Sequence, residues 1–490
     1  MNRKQDLNKY FTTDTILLGI ILIAGAILRF YNYSSLPYSY DEFSALFRTR
    51  FTNFFDLIEY GVVKTDTHPA GVQVFMFLWV KLFGEGAMIV KLPFVIAGVL
   101  TIYFTYKLGK VWFNSSVGLT AAMFIAFLQY PITYSQYARP YSSGVFLAVL
   151  FVWFYHMAFI DRNSKQKLYL AGYVLAGAAC AYNHHFSLFF VGLAGSLGIF
   201  LLKRNQLLTY ILSGILIFVL YMPHLRIFFI QLGKGGVESW LKKPDSTFFF
   251  DYTKYILHHH YLMYIVAAIL FLLSLYFLLQ TIKSSNKYRL LMLMLILITW
   301  LTAYYYSVYK SSVLQYSVLL FTYPFLVILV FSFMGNLKSL SKYIIVLVFG
   351  VLSIYTLAEE RMHFTIQYKS VFNEVMAEIA AAKESYGTSN VAGVTNFREE
   401  IVDFYADDYR LEKESLIRFD TLTSYIKFRE DLIEKNTEYL AIGFVNIPDL
   451  EFFAIAREIF PYMVKKESYY TGDFYLLSKT NLQSQSTTGE

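Results

Sequence analysis

The chain has 490 residues, of which 56% are hydrophobic and only 16% are charged, and its formal net charge is +7. A soluble protein of this length carries about a quarter charged residues, so the composition excludes an ordinary soluble protein and is typical of one that crosses a membrane many times. The single cysteine, Cys180, excludes an intrachain disulfide and a multi-cysteine metal site.

Apolar stretches alternate with short polar connections and predict an α-helical polytopic membrane protein with about eleven transmembrane helices. A spanning helix needs about 20 apolar residues, with a range of about 17 to 25. The first stretch lacks a small-residue cleavage site, so we expect a retained span, not a removed signal peptide. The predicted spans are Thr15–Tyr31, Ile89–Tyr106, Val117–Ile132, Gly144–Ile160, Leu168–Tyr182, Phe186–Leu202, Leu207–Met222, Tyr261–Ile282, Leu290–Val308, Val313–Phe333 and Tyr343–Leu357.

Lysine and arginine residues occur in every second connection between these stretches. Cytoplasmic loops carry an excess of such residues, so we assign the basic connections to the cytoplasm. The predicted location is the cell (inner) membrane. The N-terminus is then on the cytoplasmic side, and the chain leaves the last span on the periplasmic side. The net positive charge follows from these loops and does not indicate nucleic-acid binding. The basic residues are Arg3, Lys4, Lys9, Lys107, Lys110, Arg162, Lys165, Lys167, Lys203, Arg204, Lys283, Lys287, Arg289, Lys338 and Lys342.

The first outer connection, from Asn32 to Met88, is long and contains a further apolar segment, Gly71–Phe83. Counting this segment as a span would break the alternation of basic connections. We therefore expect it to lie at the outer membrane face or to dip into it. The other predicted outer connections are Thr133–Ser143, Asn183–His185, Pro223–His260 and Tyr309–Ser312.

Near residue 358 the composition changes, because charged residues become dense and apolar runs shorten to strand length. Three predicted strands alternate with helical patterns, which indicates a soluble α/β domain of common size outside the membrane. We therefore predict a membrane domain over 1–357 that includes the loop 32–88, an extracytoplasmic domain over 358–480 and a disordered tail over 481–490. The predicted strands and helices are Asn390–Thr395, Tyr439–Val445, Phe474–Ser478, Ser370–Glu384 and Leu450–Ile459.

Two adjacent carboxylates, Asp41 and Glu42, follow the first span. Carboxylates beside a bilayer are costly to desolvate and mark chemistry or ion handling, and a carboxylate near an acceptor hydroxyl can act as a general base. Consecutive helical residues diverge by about 100°, so one side chain can face a reaction centre while the other holds the loop. The alternative is that the pair caps a surface helix, Glu42–Tyr60, whose dipole favours acidic residues there.

Two cationic candidates lie in outer connections. His68 precedes a proline and the segment Gly71–Phe83, where a helix N-terminus favours an anion. Arg139 lies among tyrosines that include Tyr137 and Tyr141, and a guanidinium binds phosphate or carboxylate bidentately. The alternatives are an ordinary interfacial histidine and an arginine that snorkels along aromatic rings.

Further polar residues fall on the same predicted face, namely His184, His185, the run His258–His260, and Lys310. Histidine clusters raise the question of a metal ion, but their spacing here is not diagnostic. No cofactor is predicted, and a divalent metal is left open. Lys310 is a further candidate for a phosphate contact. An acid, several cations and an aromatic wall on one face suit a substrate that is itself a lipid phosphate.

Short motifs in a fixed order resemble the GT-C membrane glycosyltransferases. The nearest branch contains the protein O-mannosyltransferases and the aminoarabinose transferase of lipid A. The resemblance covers about the first 145 residues by motif and the later spans by layout. The motifs are Arg29 late in the first span, Tyr40-Asp41-Glu42, Thr67-His68-Pro69, Lys91-Leu92-Pro93 and the run from Tyr134 to Tyr141.

This resemblance implies transfer of a sugar from a polyprenyl-phosphate donor to an acceptor at the outer face, with inversion at the anomeric carbon. It implies that Asp41 is the catalytic carboxylate, with Glu42 as its neighbour in the acidic pair. His68 and Arg139 are then expected to contact the donor phosphate. The acceptor stays open among protein, lipid and glycan.

The sequence also departs from the family pattern. Gln315 stands where relatives often carry an arginine, which leaves Lys310 as the candidate substitute for that phosphate contact. The lysine that relatives often carry near His68 is absent, although Lys64 is close. The predicted pocket is completed by Tyr137, Tyr141, His184 and His185.

Two alternative functions use the same composition. A transporter or flippase of lipid-linked sugars would carry inverted repeats and helices broken at the bilayer midplane, and the sequence has no such repeat. A glycan ligase or polymerase is chemically close but lacks an early Asp-Glu pair.

We predict that a reporter fused near residue 400 is extracytoplasmic, because the basic connections alternate with the outer ones. A fusion at the basic connection Lys203-Arg204 serves as the cytoplasmic control, and protease access measured on both fusions checks the assignment. Cytoplasmic exposure at residue 400 would contradict the orientation and the grouping of the candidate residues on one face.

Overall fold

The computed structural model describes residues 12–161, 164–235, 241–281, 285–420, 423–445, 450–469 and 471–481. The contacts divide the chain into two compact units. The first comprises residues up to 35 together with 44–362, and the second comprises 36–43 together with the residues from 363 onward. The predicted tail lies outside the described residues except for Asn481.

Long apolar helices make up most of the first unit. By length and composition, six single helices and two bent helix pairs in the described residues are able to cross a membrane. The six helices are Thr13–Ser35, Ala87–Trp112, Pro140–Ile160, Arg204–Lys234, Asn286–Tyr309 and Ser339–Ala358, and the pairs are Ser115–Phe127 with Gln129–Gln136 and Phe248–Ile256 with Tyr261–Tyr276.

Each of the eleven predicted spans overlaps at least one of these helices or a shorter one. Eight of them overlap the helices and helix pairs named above, and the other three overlap Gln166–Asn183, His185–Leu201 and Tyr316–Phe331. These three helices are not among those able to cross a membrane by length and composition. His185–Leu201 and Tyr316–Phe331 are too short, and Gln166–Asn183 has modest hydropathy. The segment that we expected at the membrane face forms the short apolar helix Ala70–Phe83, and Pro69 precedes its first turn instead of lying within it.

The predicted span Val117–Ile132 is broken. One helix ends at Phe127, and the next begins at Gln129 with a bend of 57°. The buried guanidinium of Arg29 donates to the carbonyls of Ile125 and Ala126, at 2.6 and 3.1 Å. Backbone groups released inside a membrane need such partners, so Arg29 stabilises the end of the first half.

A histidine satisfies the other side of the break. The backbone N–H of Gln129 donates to His258 Nε2 at 2.8 Å, and His258 Nδ1 lies 2.7 Å from the Thr356 hydroxyl. His258 therefore caps the helix Gln129–Gln136. This helix also occupies part of the predicted connection Thr133–Ser143, which is wrong as an irregular loop, because chain reversal is confined to residues 137–139.

The predicted surface helix Glu42–Tyr60 is also wrong in its extent. The structure has a helix at Tyr40–Arg48, an irregular stretch, a short helix at Phe54–Asp56 and a π-helix at Leu57–Lys64. The Asn53 side chain caps the helix Phe54–Asp56 by accepting a hydrogen bond from the Asp56 N–H. The other short helices of this unit are Tyr33–Ser35, Arg204–Gln206, Met222–His224, Leu225–Lys234, Leu278–Thr281, Tyr316–Leu319, Leu320–Thr322 and Tyr323–Phe331.

The second unit contains a five-stranded sheet. Its strands are β1 (Val391–Thr395), β2 (Leu416–Arg418), β3 (Tyr439–Val445), β4 (Tyr462–Tyr469) and β5 (Gly472–Ser478). The order is β2-β1-β3-β5-β4, in which β1 pairs in parallel with β2 and β3, whereas β5 is antiparallel to β3 and β4. The helices are Ile366–Tyr368, Val371–Tyr386, Glu399–Asp408, Lys413–Ser415, Tyr425–Lys435 and Leu450–Ile459.

The predicted α/β composition of this unit is therefore confirmed, and its three predicted strands coincide with β1, β3 and β5. Strands β2 and β4 were not predicted from the sequence. β2 has only three residues, and β4 is an edge strand whose polar side chains, including Lys465 and Lys466, give no apolar alternation. The inner strands and the helices enclose an apolar core that includes Phe419, Phe428 and Phe452.

Candidate active site

Asp66 is the centre of a buried polar cluster in the first unit. It lies between the π-helix Leu57–Lys64 and the helix Ala70–Phe83, and only 5% of its surface is exposed. Its Oδ1 accepts from the backbone N–H groups of Thr67 and His68, at 2.8 and 3.1 Å. The carboxylate thus fixes the backbone that leads into the Thr-His-Pro motif.

Cationic side chains compensate the carboxylate. Arg48 Nη1 donates to Asp66 Oδ2 at 2.9 Å, and His68 Nδ1 lies 3.1 Å from Oδ1. Burial alone would raise the pKa of Asp66. The hydrogen bond with His68 and the charges of His68, Arg48 and Arg139 outweigh burial and hold that pKa well below its usual range. Asp66 is therefore ionised at neutral pH.

Arg139 joins this cluster from a different part of the chain. It immediately precedes the helix Pro140–Tyr155 and is 6% exposed. Its Nη2 lies 3.2 Å from His68 Nδ1 and 3.4 Å from His68 Nε2. His68 is thus placed between Asp66 and Arg139, and its side chain keeps 24% exposure, which makes it the most accessible of the three.

His184 closes one side of the cluster. Its ring centroid lies 5.3 Å from that of His68 and 5.0 Å from that of Phe321. Its Nδ1 accepts from the backbone N–H of Phe186 at 3.1 Å, so the ring caps the helix His185–Gly198. Burial, followed by the charges of His68, His185 and Arg139, lowers the pKa of His184 well below its usual value, so this ring is neutral.

Residues of the helix Leu225–Lys234, and His224 just before it, form hydrogen bonds with the backbone around Asp66 and His68. Gln231 Nε2 donates to the His68 carbonyl at 2.7 Å, and Lys234 Nζ donates to the carbonyls of Val63 and Asp66, at 2.6 and 3.1 Å. His224 Nε2 accepts from the Ala70 N–H at 2.8 Å. The N-terminus of the helix Ala70–Phe83 is therefore capped by a protein side chain.

We call Arg48, Asp66, His68, Arg139 and His184 the Asp66 cluster. Of the residues predicted from sequence, the structure brings His68, Arg139 and His184 together here, with His185 beside them at 6.5 Å between ring centroids of His184 and His185. Sequence reasoning missed Asp66, Arg48, Gln231, Lys234 and His224. The signal for Asp66 was present, because an acidic residue lies two positions before His68 in the same polar run of the outer connection.

Tyrosines connect the cluster to a second group of predicted residues. Tyr141 packs 6.4 Å from His184 and 5.1 Å from Tyr134, between ring centroids. Tyr134 contacts Tyr137 and Tyr130, and the Tyr130 hydroxyl donates to the carbonyl of Tyr316, next to Gln315. Gln315 itself precedes the helix Tyr316–Leu319.

Two predicted lysines are placed elsewhere in the described part of the chain. Lys64 Nζ lies over the ring of Tyr60, 4.3 Å from its centroid. Lys310 is exposed at the end of the helix Asn286–Tyr309, and no hydrogen bond or ion pair joins it to a described residue of the Asp66 cluster. The role of Lys310 as a phosphate contact and that of Lys64 as a residue of the pocket stay predictions.

Asp41 and Glu42 belong to the second unit, where they differ in environment. Glu42 Oε2 accepts from the backbone N–H and the hydroxyl of Ser39, both at 2.9 Å, and the Ser39 hydroxyl accepts from the Glu42 N–H. This reciprocal pair is a capping box that starts the helix Tyr40–Arg48. Glu42 is fully buried, whereas Asp41 is exposed.

A metal site was left open by the sequence. Among the residues that the structure describes, no three His, Cys, Asp or Glu side chains come together as a metal-binding group. His258 caps a helix, and His260 Nε2 lies 3.5 Å from Glu360. That no cofactor is needed stays a prediction, and a divalent metal stays open.

The chemistry of the Asp66 cluster favours an anion. Its two guanidiniums outnumber its single carboxylate, and His68 is its most accessible member. Arginine binds phosphate oxygens through a rigid planar fork, and partial burial strengthens such hydrogen bonds. The cluster is therefore suited to hold a phosphate group while Asp66 prevents the cations from repelling one another.

Part of the chain matches a known protein family. Residues 67–227 match a family described as dolichyl-phosphate-mannose-protein mannosyltransferase. This range contains His68, Arg139, His184 and His185. A search of curated proteins gave no match.

Two solved structures of one protein share the fold of this chain. ArnT from Cupriavidus metallidurans in the apo state aligns over 95% of this chain and 97% of its own, with a TM-score of 0.55 and 11% identity. The same protein bound to undecaprenyl phosphate aligns over 94% and 97%, with a TM-score of 0.55 and 11% identity. The archaeal oligosaccharyltransferase AglB from Archaeoglobus fulgidus, in complex with an inhibitory peptide and a dolichol-phosphate, aligns over 96% and 75%, with a TM-score of 0.47 and 10% identity.

The likeness to ArnT shows the fold, and together with the family match it confirms the predicted resemblance to the GT-C membrane glycosyltransferases. The predicted fold class, a polytopic helical membrane protein with a C-terminal α/β unit, is confirmed as well.

We predict that Asp66→Asn lowers the free energy of unfolding by about 3–5 kcal/mol, because it leaves buried cations without their partner. Glu59→Gln is the control, since Glu59 pairs with Arg226 at 3.6 Å on an exposed surface, where an ion pair contributes about 0–1 kcal/mol. Denaturant titration in detergent micelles measures both variants.

The pH dependence follows from the depressed pKa of Asp66. A carboxyl with a lowered folded pKa stabilises the protein above its unfolded pKa of about 3.9, and this contribution is lost as the pH falls through the folded pKa. The difference between wild type and Asp66→Asn is therefore expected at neutral pH and shrinks below about pH 4. Equal stability of the two proteins at neutral pH would contradict the assigned ion pairs.

Proposed function

We propose that the protein is an inverting glycosyltransferase that moves a sugar from a polyprenyl-phosphate donor to a protein, lipid or glycan acceptor at the outer face of the membrane. The observation that carries the proposal is the buried Asp66 cluster, in which His68 and Arg139 are held side by side. The family match and the fold shared with ArnT support the same reaction class.

The donor phosphate is assigned to Arg139 and His68. Arg139 is almost fully buried, so its charge is poorly screened. His68 is more exposed than Asp66 and Arg139. One of the ArnT structures with this fold is bound to undecaprenyl phosphate, a lipid phosphate of the proposed kind. Lys310 is retained as a further phosphate contact by analogy with the family pattern.

Asp41 is assigned as the general base. Its carboxylate is exposed, whereas that of the adjacent Glu42 is committed to the capping box. In the proposed step the acceptor hydroxyl oxygen attacks the anomeric carbon and Asp41 takes its proton. The bond between that carbon and the phosphate oxygen breaks, and the electron pair leaves with the polyprenyl phosphate. Preorganised cations stabilise the charge that develops on the phosphate.

A flippase is the alternative function to which the bent helices are relevant. Helices broken within the membrane are common in transporters. Here, however, Arg29 and His258 occupy the backbone groups released at the break near Leu128. The break is therefore closed by protein side chains, which favours a structural role for it over a substrate path. In the proposed topology, the acceptor side is periplasmic and the N-terminus is cytoplasmic.

We predict that Asp41→Asn lowers the transfer rate by about 10²–10⁴, because an amide does not accept the hydroxyl proton. Cells lacking the protein are complemented with wild type, Asp41→Asn or Glu42→Gln, and mass spectrometry measures lipid-linked sugars and glycans. Wild type restores the acceptor glycan and consumes the donor, whereas Asp41→Asn does neither.

Glu42→Gln is the matched control, since an amide oxygen still accepts from Ser39 and the capping box survives in part. We expect it to be the milder change. Transfer by purified Asp41→Asn within threefold of wild type would remove Asp41 as the base. An unchanged glycan profile in cells with and without the protein would remove the proposed function itself.

We predict that Arg139→Ala and His68→Ala raise the donor KM more than the acceptor KM. A hydrogen bond to a charged group contributes about 1.5–3 kcal/mol, which corresponds to about 10- to 150-fold in affinity, and the effect is larger for Arg139 because a guanidinium binds bidentately. Donor titrations at saturating acceptor measure it. Arg50→Ala is the control. Among the described residues, the ion pair of Arg50 is with Glu85, at 3.5 Å, and both side chains are exposed. An unchanged donor KM in both variants would return these residues to a structural role.

A further inference from the structure

The segment 36–43, which carries Asp41 and Glu42, is packed into the second unit together with the residues from 363 onward. Phe43 is its main anchor and is only 1% exposed. The ring centroid of Phe43 lies 5.2 Å from that of Phe404, 5.7 Å from that of Tyr405 and 6.1 Å from that of Phe372. These contacts are edge-to-face, the arrangement that aromatic rings prefer.

A second anchor lies on the other side of the carboxylates. Tyr38 is buried, and its ring centroid lies 6.1 Å from that of Phe404 and 5.4 Å from that of Phe43. Between the anchors, the guanidinium of Arg398 lies over the ring of Tyr40 at 5.0 Å. Residues on both sides of Asp41 are thus held by the helices of the C-terminal unit.

The anchored segment also determines where the Asp41 side chain points. The capping box between Ser39 and Glu42 fixes the first turn of the helix Tyr40–Arg48. Residues in a helix follow one another by about 100°, so burial of Glu42 and Phe43 turns Asp41 outward. Asp41 is accordingly exposed, although it lies between two buried anchors.

Phe404 packs on the segment 36–43 and is not a member of the apolar core cluster around Phe419. It lies on the helix Glu399–Asp408 and is half-buried. The apolar core of the unit is built by other residues, among them Phe419, Phe428 and Phe452. Phe404 belongs to a separate aromatic group with Phe43, Tyr38 and Tyr405.

We propose that the C-terminal unit is a positioning platform for the catalytic carboxylate, and that Phe404 is the positioning residue through which it holds Phe43 and hence Asp41. The proposal rests on the proposed function, in which Asp41 is the general base. A base has to stay within hydrogen-bond reach of the proton that it takes, and a displacement of about 1 Å can cost about 100-fold in rate.

The test compares Phe404→Ala with Phe453→Ala in the full-length protein. Phe453 is the matched control, because it is also a half-buried phenylalanine on a helix of the same unit, but it packs on Tyr475 and Phe444 instead. We expect Phe404→Ala to lower kcat about 10- to 100-fold, with donor and acceptor KM within twofold of wild type. Phe453→Ala should keep kcat within threefold, and Phe404→Leu should recover most of the loss.

A double-mutant cycle and hydrogen exchange separate positioning from general destabilisation. If Phe43 and Phe404 act through their mutual contact, Phe43→Ala combined with Phe404→Ala costs little more than either change alone. Backbone amides of residues 36–48 should exchange faster in Phe404→Ala than in Phe453→Ala, whether or not transfer is assayed.

The outcomes distinguish the two proposals. If Asp41→Asn abolishes transfer while Phe404→Ala matches Phe453→Ala in kcat and in exchange of residues 36–48, the positioning role is overturned and the proposed function stands. If exchange accelerates as expected but Asp41→Asn retains transfer, the platform holds the segment without serving a catalytic base, and the assignment of Asp41 fails.

Discussion

A carboxylate as deeply buried as that of Asp66 has to be compensated by positive charge, and the local structure of the outer segment depends on this constraint. Arg48 at the end of one helix, His68 in the following loop and Arg139 before the helix Pro140–Tyr155 all meet it. Removing one partner would leave an uncompensated charge, which is far more costly than losing a surface pair. The cluster therefore combines two guanidinium groups with a single carboxylate, and the same ionic interactions stabilise the loop around His68.

The absence of water within a membrane imposes a second constraint, on backbone groups. A span that breaks at Leu128 exposes carbonyls and an N–H group that lipid does not satisfy. Arg29 and His258 supply these partners from distant parts of the sequence. The half-helix Gln129–Gln136 is thereby fixed three residues before Arg139. Arg29 at the break therefore helps to position Arg139, the cationic residue of the Asp66 cluster that follows this half-helix.

Adjacent carboxylates with different tasks illustrate how backbone geometry separates structure from chemistry. Glu42 is consumed by the capping box with Ser39, and Asp41 is turned outward by the same helical turn. Aromatic contacts of Tyr38 and Phe43 add rigidity without using polar groups. The segment therefore combines a carboxylate that is buried in the capping box with a neighbouring carboxylate that is exposed.

The sequence by itself determined the membrane class, the positions of the apolar helices, three strands of the C-terminal sheet and the grouping of His68, Arg139 and His184, because apolar periodicity, charge alternation and motif order are local properties. Only the tertiary structure decided the rest. Asp66 gains its role from Arg48 and Arg139, which lie 18 and 73 positions away. The break at Leu128 depends on Arg29 and His258, and the edge strand β4 pairs with β5 despite its polar sequence. Contacts between distant residues leave no periodic trace in the chain, so they become visible only when folding has brought the partners together.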